Sequence, residues 1–524
     1  MPEEVKREPL RLLFFLQIPP ALEARHFFKQ PPNVATHFSL SLIHQYVSMK
    51  ATRFLMRWLG LMMILPAVLS CEKEEWVGDP TAELRFSTDT VLFDTVFTTI
   101  GSATKRFTVK NPHDKKIRIA SIALAGGDAS DYRININGRS TKQVSDIELA
   151  AKDSLFVFVE VKVDPTNQNQ PMVVMDSVVF QREGVTQDVK LVAWGQDVHL
   201  IRNQLLSTQT WTADKPYLVY ESAMIDTGAT LTLEPGTRVH FHRNSRFLVA
   251  GTLISEGTTD QPVIFQGDRL ERDYADIPGQ WDGIWIMPTS SQNRIDHSVI
   301  KNAIIGLQVD TIADVSTPKL ILSNSRILHM TYAGILARGT HIKAYNSLIA
   351  NCGSYAVALT LGGTYNFTHC TLANYWSGST RNTPALVLNN YYNVSQGNIQ
   401  IREMDQAHFT NCIIYGNRVP ELGLDLKSQG FTGYHFNHCL IRTGTDMDVS
   451  GEAFEQIVQD KDPLFRSIED HSYQLDSLSP AINQGDITAG TQYPLDILNN
   501  SRTSDEAPDL GAYEFIPGEG EEQD

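Results

Sequence analysis

YNFTHCTLANY (residues 365–375) returns as AHFTNCIIYGN (407–417) and again as YHFNHCLIRTG (434–444). Each copy sets a His or Asn beside a Cys, which is either a scattered metal site or one position of a structural repeat. Earlier stretches decide between them. IDHSVI (295–300), LSNSRI (322–327) and AYNSLI (344–349) carry the same order: Asn or His, then Ser or Cys, one free position, then Ile or Leu. The small column is Ser298, Ser325, Ser347, Cys370, Cys412 and Cys439, with spacings of 27, 22, 23, 42 and 27 residues. The long interval contains an insertion, SGSTRNT followed by NNYYNVSQGNIQIREMD. Self-similarity at this period is the mark of a solenoid.

Propensity selects the solenoid. The repeats are rich in Ile, Val, Thr, Tyr and Phe at period two, with Asn and Gly at the corners, and they lack helical spacing and a strict Leu pattern. A right-handed parallel β-helix is therefore expected, its coils roughly 4.8 Å apart. From Met224 to about Thr445, at about 24 residues a coil, this gives on the order of nine coils and a rod of about 45 Å. The Ser or Cys shares strand parity with the following Ile or Leu and should point inward as a ladder. The neighbouring column, His297, Asn324, Asn346, His369, Asn411 and His438, should sit at a bend, where such side chains bond to turn backbone. A zinc site needs ligands converging on one point, whereas a column spreads them along an axis. No metal site is therefore expected. Cys412 and Cys439 lie on neighbouring rungs, but stacking need not suit a disulfide. Cys352 falls off the column and reads as a lone buried thiol.

From Ala82 to about Val198 the texture differs. Seven short alternating runs, from TVLFDTVF (90–97) to QDVKLVAWG (187–195), are separated by Gly, Asn, Asp and Pro. They are expected to form a β-sandwich without an inter-sheet disulfide, since no Cys lies among them. The whole chain is thus expected to be all-β. Its 524 residues exceed one ordinary compact domain. With 44 Lys and Arg against 60 Asp and Glu, the net charge of −16 argues against a nucleic-acid partner.

MKATRFLMRWLGLMMILPAVLSC (49–71) has a basic start, a short apolar run and a small residue before Cys71, the pattern of a secretory signal. The run is too short to be a convincing membrane span. VLSC resembles the lipobox of bacterial lipoproteins, which implies diacylation of Cys71 and cleavage before it. Residues 49–70 would then be a lipoprotein signal peptide, Met49 the initiator, and 1–48 a mis-assigned N-terminal extension. EKEE after Cys71 resembles the export tag of Bacteroidetes surface lipoproteins, so 71–81 is expected to be an acidic tether. The outer membrane is the partner this implies, with the protein lipid-anchored at the cell surface.

Two further resemblances concern the domains. VKN, IASIALAGGDASDYRI and LAAKDSLFVFVEVKVDP resemble immunoglobulin-like modules of the abnormal-spindle/Hydin type, implying a spacer over 82–198. GATLTLEPGTRVHFHRNSRFLVAGTLISEGTTDQPVIFQG (228–267) and WDGIWI (281–286) resemble the opening coils of pectin-lyase-like β-helices. DPLFRSIEDHSYQLDSLSPAINQGD (462–486) and PDLGAYEF (508–515) resemble the module that closes such helices in Bacteroidetes surface proteins. The expected domains are a β-helix over 205–447, a closing module over 448–516 and an acidic tail over 517–524.

The pectin-lyase-like resemblance admits lyases, hydrolases and members without activity. A lyase of that kind needs clustered carboxylates holding Ca²⁺ and a basic residue beside them; Asp310 and Asp314 with Arg338 and Lys343 are the nearest approach. A hydrolase needs paired carboxylates, and Asp273, Asp276 and Asp282 flank one early loop. Neither set repeats in register. Tyr375, Trp376, Tyr391 and Tyr392, brought in by the insertion, are the candidate sugar-stacking residues. The expected function is a non-catalytic structural or adhesion role with polysaccharide as a candidate ligand. The competing expectation is a polysaccharide lyase or glycoside hydrolase, and no cofactor is expected unless the lyase brings Ca²⁺.

Overall fold

A computed structural model of the chain describes residues 75–518, apart from 167, 312–315, 396–397 and 431. Cys71, the signal segment before it and Asp314 lie outside these residues. Among those described, no helix is long and apolar enough to cross a membrane. The described residues are nearly all β, with a single short α-helix among them at Ile487–Gln492, whose Asp486 carboxylate accepts from the Ala489 amide.

Residues 85–196 form two five-stranded sheets around one core. All seven alternating runs are strands, and the short Arg85–Phe86 and Arg139–Thr141 together with Gln143–Leu149, whose irregular patterning hid it, complete the ten. Ser154–Val161 shows the cause: every second residue is buried, so Leu155, Val157, Val159 and Val161 enter the core while the intervening side chains face out. Burying each contributes about 1.5–3 kcal/mol. The Tyr132 ring is fully buried, and its hydroxyl donates to the Val174 carbonyl at 2.8 Å. One outer surface breaks the expectation of polar outward positions. Trp194 pairs with Val173, Val192 lies between Leu92 and Met175, and Leu92, Val173, Met175 and Trp194 are all exposed.

From His199 onward the chain winds a 26-stranded sheet in which each strand pairs, in parallel, with a strand one circuit later. Asn293–Asp296 pairs with Leu320–Ser323, that with Ile342–Tyr345, and that with Tyr365–Thr368. The pattern is compatible with a parallel β-helix. It has three faces. The first carries the strands just named and continues through Met404–Thr410 and Thr432–Asn437. The second carries Ser298–Lys301, Arg326–Met330, Leu348–Cys352, Thr371–Asn374 and Ile413–Gly416. The third carries Trp281–Ile286, Ala303–Val309, the first halves of Ala333–Tyr345 and Tyr355–Thr368, then Leu386–Asn389 and Leu422–Asp425.

The repeated motif turns the corner between the first and second faces. His297, Asn324, Asn346, His369, Asn411 and His438 all have positive φ, between 41° and 53°, a region where Asn and His are the tolerated side chains. The Ser or Cys that follows is buried in every coil. Its side chain donates to the carbonyl two residues back: Ser298 to Asp296 at 3.0 Å, Ser325 to Ser323 at 2.6 Å, Ser347 to Tyr345 at 2.9 Å, Cys370 to Thr368 at 3.5 Å, Cys412 to Thr410 at 3.3 Å and Cys439 to Asn437 at 3.4 Å. The small side chain thus adds a second hydrogen bond to a carbonyl that already accepts a backbone amide of the preceding coil, filling both of its lone pairs. These three thiols and the buried Cys352 are free, so no disulfide joins Cys412 to Cys439. Beneath them Phe367, Phe409, Phe436 and Phe454 stack with centroid separations of 5.1, 4.9 and 5.3 Å.

The segment 462–515 lies along the second face. Outward-pointing Leu348, Ala350, Ala373, Ile413 and Leu440 form a separate core with residues of this segment, among them Phe465, Tyr473, Leu510 and Tyr513. The corner column fixes its position. Asn346 donates to the Leu495 carbonyl at 2.8 Å, and Asn411 accepts from the Asp486 amide at 2.7 Å. Asn499, near the other end, donates to Thr259 at 2.6 Å. Inside the segment Arg502 and Glu514 form a buried ion pair at 2.5 Å. The sandwich meets the coils where Phe97 packs against His240, ring centroids 5.0 Å apart. Only Asp197 and Val198 separate the two strand systems.

Candidate functional site

The third face carries the most varied exposed chemistry. Its central outward column runs, in register, Trp285, Gln308, Leu336, Ala358, Val387 and Gly423. Beyond Leu336 this floor is small and largely apolar, because Ala358, Val387 and Gly423 present little side chain. One margin is the next outward column, Asp310, Arg338, Thr360, Asn389 and Asp425, a row of hydrogen-bonding groups. The other margin holds Tyr332 and Tyr355, whose rings meet edge to face at 6.0 Å, Tyr332 being 41% exposed.

The insertion flanks this strip. Tyr391–Ser395 and Asn398–Ile401 pair as an antiparallel hairpin beside the polar margin. The Tyr391 hydroxyl donates to Asp425 at 2.9 Å, the Lys427 ammonium lies 4.7 Å from its ring centroid, and Tyr392 is exposed. Trp376 lies on the Tyr355 side, half-buried near Gly353, with its indole N–H donating to Ser379 at 3.0 Å. Tyr375 is placed elsewhere: its ring packs with Tyr473, Phe465 and Tyr415 under the segment along the second face. Burial pushes its phenol far above the ordinary value. Three of the four sugar-stacking candidates therefore border the strip and Tyr375 does not.

A buried ion pair that sequence reading missed holds the Trp376 loop in place. Arg381 donates to the Glu421 carboxylate at 2.5 and 2.7 Å, to the Asn374 carbonyl at 2.9 Å and to Asn417 at 2.8 Å, with both ionic side chains enclosed. Glu421 also accepts from the Ala385 and Arg418 amides at 2.8 Å. Most of the pair's remaining hydrogen-bonding capacity is thus met, as such pairs require, with the buried Arg381 Nε left without a partner.

The structure divides the lyase candidates. Arg338 donates to Asp310 at 2.7 Å, and Asp310 accepts from the Trp285 indole at 2.7 Å. Lys343 is on the first face, its ammonium 5.8 Å from the Tyr493 ring centroid. Next to Asp310 stands Lys319, which the sequence did not flag. Burial lowers its ammonium to about 8, but it is fully enclosed and donates to the Asp310 and Thr311 carbonyls, so it anchors a loop. The hydrolase candidates are also dispersed in role. Asp282 is paired with Arg246 at 2.5 Å, Asp273 lies in the short Arg272–Tyr274 turn, and Asp276 faces His329 and His471.

No family model and no curated protein matches the chain. Among solved structures, an ASH/PapD-like domain of human CEP192 (PapD-like domain 7) aligns over 23% of this chain and 90% of its own, at 8% identity and a TM-score of 0.16. A family 123 glycoside hydrolase from Clostridium perfringens, solved to describe glycolipid glycan hydrolysis, aligns over 21% of this chain and 25% of its own, at 4% identity and a TM-score of 0.16. Scores this low carry no argument about fold or function.

Proposed function

We propose that the chain is a cell-envelope lipoprotein, anchored through Cys71, in which an immunoglobulin-like spacer presents a right-handed parallel β-helix that binds polysaccharide without cutting it. The observation that supports binding is the third-face strip: a small, flat floor between a row of hydrogen-bonding side chains and aromatic groups at Tyr332, Tyr355, Trp376, Tyr391 and Tyr392. Sugar rings present apolar faces for stacking and hydroxyls for lateral hydrogen bonds, and a strip of this length suits an extended chain of them. A non-catalytic role is supported by the engagement of Asp310 and Arg338 with each other, which occupies the two groups nearest to a lyase arrangement.

Affinity electrophoresis of the full chain through gels containing plant, algal or host polysaccharides tests this reading. Retardation by at least one polymer, lost in the Y391A/Y392A variant and kept in a Tyr375→Phe control, is the expected result. Equal retardation of both variants, or none by any polymer, would reject the strip as the binding surface.

A further inference from the structure

We propose that Asp276, His329 and His471 form a binding site for one divalent transition metal ion, with zinc the natural occupant. The three residues come from an early loop, a second-face strand and the hairpin turn of the C-terminal segment. The His329 Nε2 lies 3.3 Å from one carboxylate oxygen of Asp276, and the His471 Nε2 lies 3.8 Å from the other. All three ligand atoms fall within 4.8 Å of one another. The imidazole rings stand edge to face, 4.5 Å apart, with both Nε2 atoms turned toward the carboxylate. Two imidazoles and one carboxylate at bond lengths of about 2.0–2.2 Å are three corners of a tetrahedron; water would complete the fourth. Ca²⁺ is disfavoured because it takes an all-oxygen shell, whereas imidazole suits zinc and its neighbours.

Surrounding bonds hold the three residues in these positions. The buried Asn302 side chain donates to the Ala275 and Ile277 carbonyls at 3.0 and 2.8 Å, fixing the backbone on both sides of Asp276. His329 is 5% exposed, and both His329 and His471 have positive φ, 59° and 58°. Strain of this kind persists only where the surroundings enforce it. Asn351, itself 5% exposed, lies 2.9 Å from the His471 Nδ1 and accepts from the Tyr473 hydroxyl at 2.7 Å. The amide's O and N are interchangeable in placement, and a tyrosine hydroxyl both donates and accepts. Turned over, Asn351 accepts the Nδ1 proton and leaves Nε2 free for a metal, the second-layer support that ligating histidines have. Lys301, which donates to the Ala275 carbonyl at 3.3 Å, is an adverse charge nearby, engaged by that carbonyl. The Asp276 side chain is 56% exposed, so an ion has a route in from solvent. Once bound, it would tie the C-terminal segment to the coils through three separate stretches of chain.

The test is equilibrium dialysis of the full chain, without a polyhistidine tag and stripped by chelator, against Zn²⁺ and in parallel against Ca²⁺. The wild type should take up one equivalent of zinc and no stoichiometric calcium, with a rise in Tm. Asp276→Asn and His471→Gln should each weaken zinc binding more than about tenfold and abolish the rise. Asp276→Asn changes an exposed group and should keep the wild-type near-ultraviolet circular dichroism, separating lost ligation from lost fold. No zinc uptake by the wild type, or uptake undiminished in both variants, would overturn the proposal.

Discussion

Asn411 combines three duties in one side chain. It adopts a φ of 53°, closes the corner between two faces and clasps the C-terminal segment through both the Asp486 amide and carbonyl. Asn411→Ala keeps the β-carbon but loses the polar side chain that makes this left-handed conformation tolerable, a cost of up to about 1–2 kcal/mol, and removes both bonds, each contributing about 1 kcal/mol. A loss of about 2–4 kcal/mol in urea unfolding is expected, and Asn411→Gly should recover about 1 kcal/mol of it. One residue on, Cys412→Ser should change stability by less than about 1.5 kcal/mol, because Ser298, Ser325 and Ser347 already fill that column. Cys412→Leu should cost about 1–3 kcal/mol through overpacking. These positions were legible because corner and ladder residues are adjacent in sequence and recur. What the corner column grips was not: the bond from Arg502 to Asn346 spans 156 residues, and no local pattern announces it.

At the level of elements, the insertion and the C-terminal segment decide which faces remain open. The segment along the second face buries an apolar surface, and this sidelong placement emerges only from packing. The insertion loop depends on Arg381 and Glu421. Glu421→Ala leaves the enclosed Arg381 without its partner and should cost about 3–5 kcal/mol. Thermal melting would show that loss. Glycan retardation of the same variant should weaken, since the Trp376 loop is no longer held; unchanged retardation would remove Trp376 from the strip. Sequence reading grouped Tyr375 with Trp376 because they are neighbours, yet the strand ending at Asn374 lets successive side chains diverge to different sides of the corner.

The molecule as a whole joins a sandwich to a coil stack through a short connection, with His240 at the seam. Burial lowers its imidazole from the ordinary 6.5 to about 4. The unfolded chain therefore binds a proton there before the folded one does. The stability this residue contributes is present above pH 6.5 and is lost as pH falls through 4, on the order of 3 kcal/mol. His240→Asn should flatten that part of the pH–stability profile, whereas an unchanged acid limb would place the sensitivity elsewhere. The all-β character of the chain and its parallel repeat were legible from alternation and repeat, but the seam required the fold. The claim that binding proceeds without cleavage is tested most directly by one measurement: size-exclusion chromatography with light scattering on the full chain mixed with a polysaccharide that retards it, after prolonged incubation with and without Ca²⁺. The account predicts co-elution of protein with polymer of undiminished length in both conditions. Shortened polymer in either would contradict it and identify an enzyme.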